Sequence, residues 1–263
     1  MDYESESSPE PFDELRELPS DLADSLAELV PDVPYRLDTL PDGREIVIIG
    51  DVETFADHTH RQGDNPFGFL GTCGLCSCEG VLRQFGIEVT EADVVAHAIA
   101  RGLCETKGPA EMRGGTTPSD QCRILADFGV PAHVETADSL EDLAERLEHG
   151  HGVVIAANAG VLWDDADYWE GGRANHAVVP IGVARNPDTG EIRGMIVNDS
   201  SQEAARFVDA TTMAEAWLAA GGRCVVTDLV HTLTADGTAP PVASATPPTT
   251  STTTTDAGER TQP

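Results

Sequence analysis

The order of its hydrophobic patterns constrains this chain most. Helix-period segments fill the front of the central region, and strand-length apolar runs fill the back. Glu45 to Gly50 (EIVIIG) is a first short strand. Cys73 to Phe85 then reads as a helix stopped by Gly86. Thr90 can cap a helix over Glu91 to Arg101, with Asp93 three residues on as a partial capping box. Thr117-Pro118 opens another that ends at Gly129. Ser139 starts a fourth, with Leu140, Leu143 and Leu147 on one face and Gly150 after it. Strands follow at Val153 to Ala157, Ala177 to Val183 and Gly194 to Asn198. A helix near Met213 to Ala219 and a last strand at Cys224 to Val230 complete the series. This succession predicts an α+β domain with helices packed on an antiparallel sheet.

The flanks differ from this region. Residues 1–44 form an acidic segment, disordered at its start, with short helices between Phe12 and Val30 and an extended connector through Pro31, Pro34 and Pro41. Residues 236–263 end in PPTTSTTTTDAGERTQP, which has too little apolar surface to fold. The domain is therefore expected over 45–235.

The charge balance excludes whole classes of partner. Asp and Glu number 46 against 16 Lys and Arg, a net of −30 over 263 residues, and Lys107 is the single lysine. Such a field repels phosphate backbones and anionic membrane surfaces, so neither nucleic acid nor membrane is expected as a partner. No apolar run is long enough to span a bilayer, and the N-terminus lacks a secretory signal pattern, so a cytoplasmic location is expected. The acidic residues are spread along the whole chain, which favours a halophilic protein from a salt-rich cytoplasm over an ordinary acidic one with acidic tails.

Six cysteines are present, and Cys73, Cys76 and Cys78 lie within six residues. That clustering makes a poor disulfide framework and points to free thiols in a reducing compartment. Chemistry is concentrated in Gly71-Thr72-Cys73-Gly74-Leu75-Cys76-Ser77-Cys78. A cysteine in the first turn of a helix sits at the positive end of the dipole, where thiolate is favoured over thiol. Gly74 is expected to leave its sulfur open to an approaching carbonyl. Cys76 is expected to face near Cys73, and Cys78 to lie in the core. The base such a nucleophile needs is best supplied by His176, which opens the apolar run Asn175-His176-Ala177-Val178-Val179. A hairpin around Asn186 to Gly190 would return Asp199 to the level of His176, where a carboxylate could orient the imidazole.

These residues, with Val81-Leu82-Arg83-Gln84-Phe85-Gly86 and Val197-Asn198-Asp199, resemble the C39-like branch of the papain-like cysteine peptidases over about residues 60–230. That branch includes double-glycine leader peptidases and papain-fold domains of polymorphic toxins. The resemblance implies a papain-like α+β fold in which Cys73 is nucleophile, His176 base and Asp199 orienter, acting on a peptide or protein without a cofactor or metal. The family's oxyanion-hole glutamine lies about six residues before the cysteine, where this chain has Phe67. Gln62 is the nearest upstream glutamine, which requires residues 63–71 to fold back, and Asn65 is a second candidate. Asn198 competes with Asp199 as orienter.

A thiol peptidase is the first reading, with deamidase, transglutaminase and acyltransferase chemistry available to the same three residues. A papain-like module that binds without cutting is the alternative. A Cys73/Cys76 dithiol redox pair ranks lower, because no βαβ pattern surrounds it. A zinc site built from Cys73, Cys76 and Cys78 lacks a second well-spaced ligand pair.

Overall fold

A computed structural model describes residues 34–231. The expected helices between Phe12 and Val30 and the Thr/Pro-rich tail lie outside the described residues. β1 (Tyr35–Thr39) and β2 (Glu45–Ile49) form an antiparallel hairpin that sets Leu37 opposite Val47. Ordered sheet therefore begins before residue 45, inside the stretch read from sequence as a connector. A short helix α1 (Val52–Ala56) follows β2.

Four longer helices come next in local sequence logic. α2 (Cys73–Gln84) begins after Thr72 and stops at Phe85-Gly86, where Gly86 takes φ 72°. α3 (Glu91–Arg101) and α4 (Pro118–Asp127) begin with complete capping boxes, Thr90 with Asp93 and Thr117 with Asp120. β3 (Ala132–Thr136) leads to α5 (Leu140–Glu148), boxed by Ser139 and Asp142. Each box satisfies two orphan N–H groups and is fixed within four residues, which is why these starts are readable from sequence.

The rest of the chain is mostly sheet. β4 (His151–Ala157) is followed by the short α6 (Ala159–Trp163) and two 3₁₀ turns. β5 (His176–Arg185), β6 (Ile192–Asn198) and β7 (Arg206–Asp209) form a meander. α7 (Ala210–Met213) continues as a wider π turn over Ala214–Leu218, and β8 (Arg223–Val230) closes the sheet. The main strand order is β1-β2-β5-β4-β8-β3, with β6 on the other edge of β5 and β7 beyond it. Every pairing is antiparallel.

β5 is the organising strand. β4 pairs with its first residues, β2 with its last, and β6 runs along its opposite edge. Pro180, which has no N–H to donate, falls between the β4 and β2 pairings and beside an irregularity in the β6 register. The sheet is buried on both faces. On one, Val154, Ala177, Val179, Ile181 and Val225 pack with Leu75, Val81 and Leu82 of α2 and the apolar faces of α3 and α4. On the other, Val153, Ile155, Val178 and Val226 meet Leu143 and Leu147 of α5 together with Met213 and Trp217. Alternate residues of one strand thus serve opposite cores, the period-two rule of a pleated strand. The architecture is α+β.

Candidate active site

α2 aims its first turn at the start of β5. Gly74 sits tight against α4 and the loop before it: a Cβ there would lie 2.7 Å from Nε2 of Gln121, and closer still to Thr116. Its missing side chain permits this close approach of helix to helix, and Gly74 lines the cleft beside Cys73. Cys73 lines an open cleft of about 1030 Å³ together with Gln62, Leu70, Met112, Trp163 and His176.

His176 and Asp199 meet as the hairpin reading requires. His176 is the first residue of β5, paired with Ala157, and Asp199 follows the last residue of β6. Nε2 of His176 lies 2.8 Å from Oδ1 of Asp199, with both side chains buried. That leaves the other ring nitrogen free of Asp199, in the cleft that His176 and Cys73 both line. Asp199 also accepts from the indole N–H of Trp163 at 2.8 Å and from the backbone N–H of Ser201 at 2.9 Å.

The electrostatics favour an ion pair. Burial pushes the Cys73 thiol up, but the hydrogen bond and charge of His176 outweigh it, aided by the N–H groups of Ala177 and Gly74, so its pKa falls below the ordinary thiol value. Burial alone would lower His176. Its bonds to Asp199 and Cys73 instead raise it well above the usual imidazole range. For Asp199, burial is overcome by His176, Trp163 and Ser201, and its pKa drops. Thiolate beside imidazolium is the arrangement in which the sulfur is the stronger nucleophile.

Asn198 points the other way. Its amide donates to the carbonyl of Phe55 at 2.7 Å and accepts from the N–H of Ala205 at 3.0 Å. Neighbouring strand residues face opposite sides, so Asp199 alone reaches His176.

Gln62 reaches the cleft because residues 63–71 fold back. Glu91, in the first turn of α3 and 1% exposed, accepts from the N–H groups of Gly63 and Asp64, from the Asn65 amide and from the Thr72 hydroxyl. Gln62 itself donates to the carbonyl of Leu70 at 2.6 Å and accepts from the hydroxyls of Ser200 and Ser201. Asn65 is consumed inside the loop, bonded to Phe69 and Glu91, and Phe67 stands exposed on its outside.

The remaining cysteines lie elsewhere. Cys76 is buried beside Thr72, Glu79 and His60 rather than sharing the Cys73 cleft, and burial raises its pKa. Cys78 is in the core, and burial raises it too. All six thiols are free. Two contributors escaped the sequence reading. They are Glu91, whose carboxylate gathers residues 63–72, and Trp163, whose indole N–H finds its partner in Asp199.

Among the described residues no helix is long and apolar enough to cross a membrane. Comparison of the sequence with protein families and with curated proteins finds no match. A solved structure named "putative C39-like peptidase" from Bacillus anthracis is similar in fold at 16% identity and a TM-score of 0.47, covering 65% of this chain and 94% of that one.

Proposed function

We propose that this chain is a papain-like cysteine hydrolase that cleaves amide bonds of a peptide or protein through a Cys73 acyl-enzyme. One observation carries the reading: Asp199 is hydrogen-bonded to His176, and His176 shares the wall of an open cleft with Cys73. The Cys73 thiolate attacks the scissile carbonyl carbon, and the carbonyl π electrons move to oxygen. As the tetrahedral adduct collapses, the C–N bond breaks and His176 gives its proton to the departing amine. His176 then takes a proton from water, which attacks the thioester, releases the acid and restores the thiolate. Asp199 holds the imidazole in one orientation and stabilises its charge throughout.

Gln62 is the proposed oxyanion donor. One of its amide hydrogens is held by Leu70, which fixes the plane of the group and leaves the second hydrogen free. The N–H of Cys73, in the first helical turn, has no acceptor within the helix and supplies a second donor.

The deciding experiment compares the full chain with Cys73→Ala on a pool of unstructured peptides, followed by mass spectrometry of the products. The expected result is new peptide termini with the parent chain and none with the variant. Products that persist in Cys73→Ala overturn the reading. Retained peptides with no cleavage by either protein, together with no thiol of lowered pKa, leave a papain-like module that binds rather than cuts.

A further inference from the structure

We propose that His60, Cys76 and Glu79 form a binding site for a single borderline divalent metal ion, zinc above all, one helical turn behind Cys73. Cys76 and Glu79 are three apart on α2 and so share a face of the helix, and His60 approaches from the loop before it. One ligand atom from each of the three lies within 4.8 Å of the other two. Cys76 and Glu79 are buried, and His60 is partly exposed, giving an ion a way in and a water a place at the fourth position.

The histidine is prepared for a metal. Its Nδ1 lies 3.0 Å from the carbonyl of Arg61, which fixes a hydrogen on Nδ1 and turns Nε2 toward Glu79 at 2.8 Å. A carbonyl on one ring nitrogen with the other facing a cluster of anionic ligands is the usual surrounding of a metal-bound histidine. The outer shell is present as well. Glu91 lies 4.0 Å from the His60 ring, Arg83 3.8 Å from the second oxygen of Glu79, and Thr72 3.9 Å from the Cys76 sulfur.

The exchange balances in charge. Without metal, imidazolium and carboxylate cancel beside a neutral thiol. A divalent ion displaces one proton from Nε2 of His60 and one from Sγ of Cys76, and both go to solvent. Thiolate and carboxylate then cancel the ion, so the enclosed site gains no net charge. The set of one sulfur, one nitrogen and one oxygen favours zinc or cobalt over magnesium or calcium, which prefer oxygen alone. The ion would tie the loop that leads into Gln62 to the helix that carries Cys73.

The test is a titration of the full chain carrying Cys73→Ala, which removes the one activated thiol, with cobalt(II) as the probe. A thiolate-to-cobalt charge-transfer band is expected that saturates at one equivalent and is bleached by zinc. Adding Cys76→Ser should abolish the band, and adding His60→Gln should weaken cobalt binding by at least about tenfold. Zinc should also raise the melting temperature of the Cys73→Ala protein, and that of the His60→Gln protein far less. The proposal is overturned if the Cys73→Ala protein gives no band. It is equally overturned if the band survives Cys76→Ser, or if His60→Gln binds cobalt as tightly as its parent. None of these readouts depends on peptide cleavage, so the metal site and the hydrolase reading stand or fall separately.

Discussion

The indole of Trp163 donates to Oδ2 of Asp199 at 2.8 Å, while Oδ1 of the same carboxylate meets His176 at 2.8 Å. The tryptophan also lies edge-on to the imidazole, with ring centroids 5.0 Å apart. One side chain therefore holds the Asp199 carboxylate and walls the His176 ring. Trp163→Phe keeps the ring and deletes the donor. A hydrogen bond to a charged group contributes about 1.5–3 kcal/mol to stability, so the melting temperature should fall by several degrees, and turnover should fall with it as the Asp199 carboxylate loses its second holder. Steady-state kinetics beside a thermal melt check this. Unchanged turnover would remove Trp163 from the machinery.

Asp199 and Asn198 should separate by readout. Asp199→Ala leaves the base unoriented and its charge unsupported, so kcat should drop by orders of magnitude while KM moves little. Asn198→Ala strips partners from Phe55 and Ala205 and should cost about 1–3 kcal/mol of stability with a smaller effect on kcat. Denaturant melts and kinetics on both variants decide. A catalytic loss at Asn198 as large as that at Asp199 would contradict the placement.

Thiol reactivity should single out one cysteine. Only Cys73 is held below the ordinary thiol range, whereas Cys76, Cys78, Cys104, Cys122 and Cys224 are all raised, each chiefly by burial. At about pH 6 to 7, well under the free thiol value of about 8.5, iodoacetamide should modify Cys73 first. Peptide mapping identifies the labelled site, and His176→Ala should shift the alkylation profile toward higher pH. Uniform labelling of several cysteines at that pH would argue against the ion pair.

Acid should destabilise the fold partly through His231. Burial near Phe55 and Phe85 lowers its pKa from 6.5 to about 4. The unfolded chain takes up this proton below about 6.5 and the folded one only near 4, so stability is lost as pH falls through that window. The effect is bounded at roughly 3 kcal/mol, from about 1.36 kcal/mol per pKa unit. Melting temperatures between pH 7 and about 4.5 measure it, and His231→Leu should flatten the slope. An equal slope in the variant would assign it to other groups.

Salt should act in the opposite direction. With a net charge of −30, self-repulsion operates across a Debye length of about 10 Å at 0.1 M but only about 3 Å at 1 M. The melting temperature should rise between about 0.1 M and 2 M KCl. A flat response would count against a halophilic surface.

What could be read from sequence follows the range of the forces involved. The helices after Thr90, Thr117 and Ser139 begin with boxes closed within four residues, and their starts were legible. His176 was legible, and with it the pair Asn198-Asp199, because a short turn at Asn186 fixes the hairpin; the period of two lets only one of that pair face the histidine, and which one depends on the register of β6. β1 was not. Framed by prolines and only half-buried, its apolar signal is that of a connector, and it becomes a strand by pairing with β2. Nor could the bond between Trp163 and Asp199, or the gathering of residues 63–72 around Glu91, be read from local pattern. Both join groups that meet only once the sheet and helices have assembled.

Glu91 has a consequence for how such a chain can change. It binds the N–H groups just after Gln62 and the hydroxyl just before Cys73, so both ends of the intervening loop are referenced to the same carboxylate. The spacing between Gln62 and Cys73 is then set by a fixed anchor on a neighbouring helix, and not by the number of residues between them. Insertions or deletions within 66–68 can accumulate without detuning the cleft, provided that the anchor, its two landing points and the Leu70 carbonyl that holds Gln62 persist. Sequence distance from glutamine to cysteine is, in such an arrangement, a poor ruler for recognising relatives.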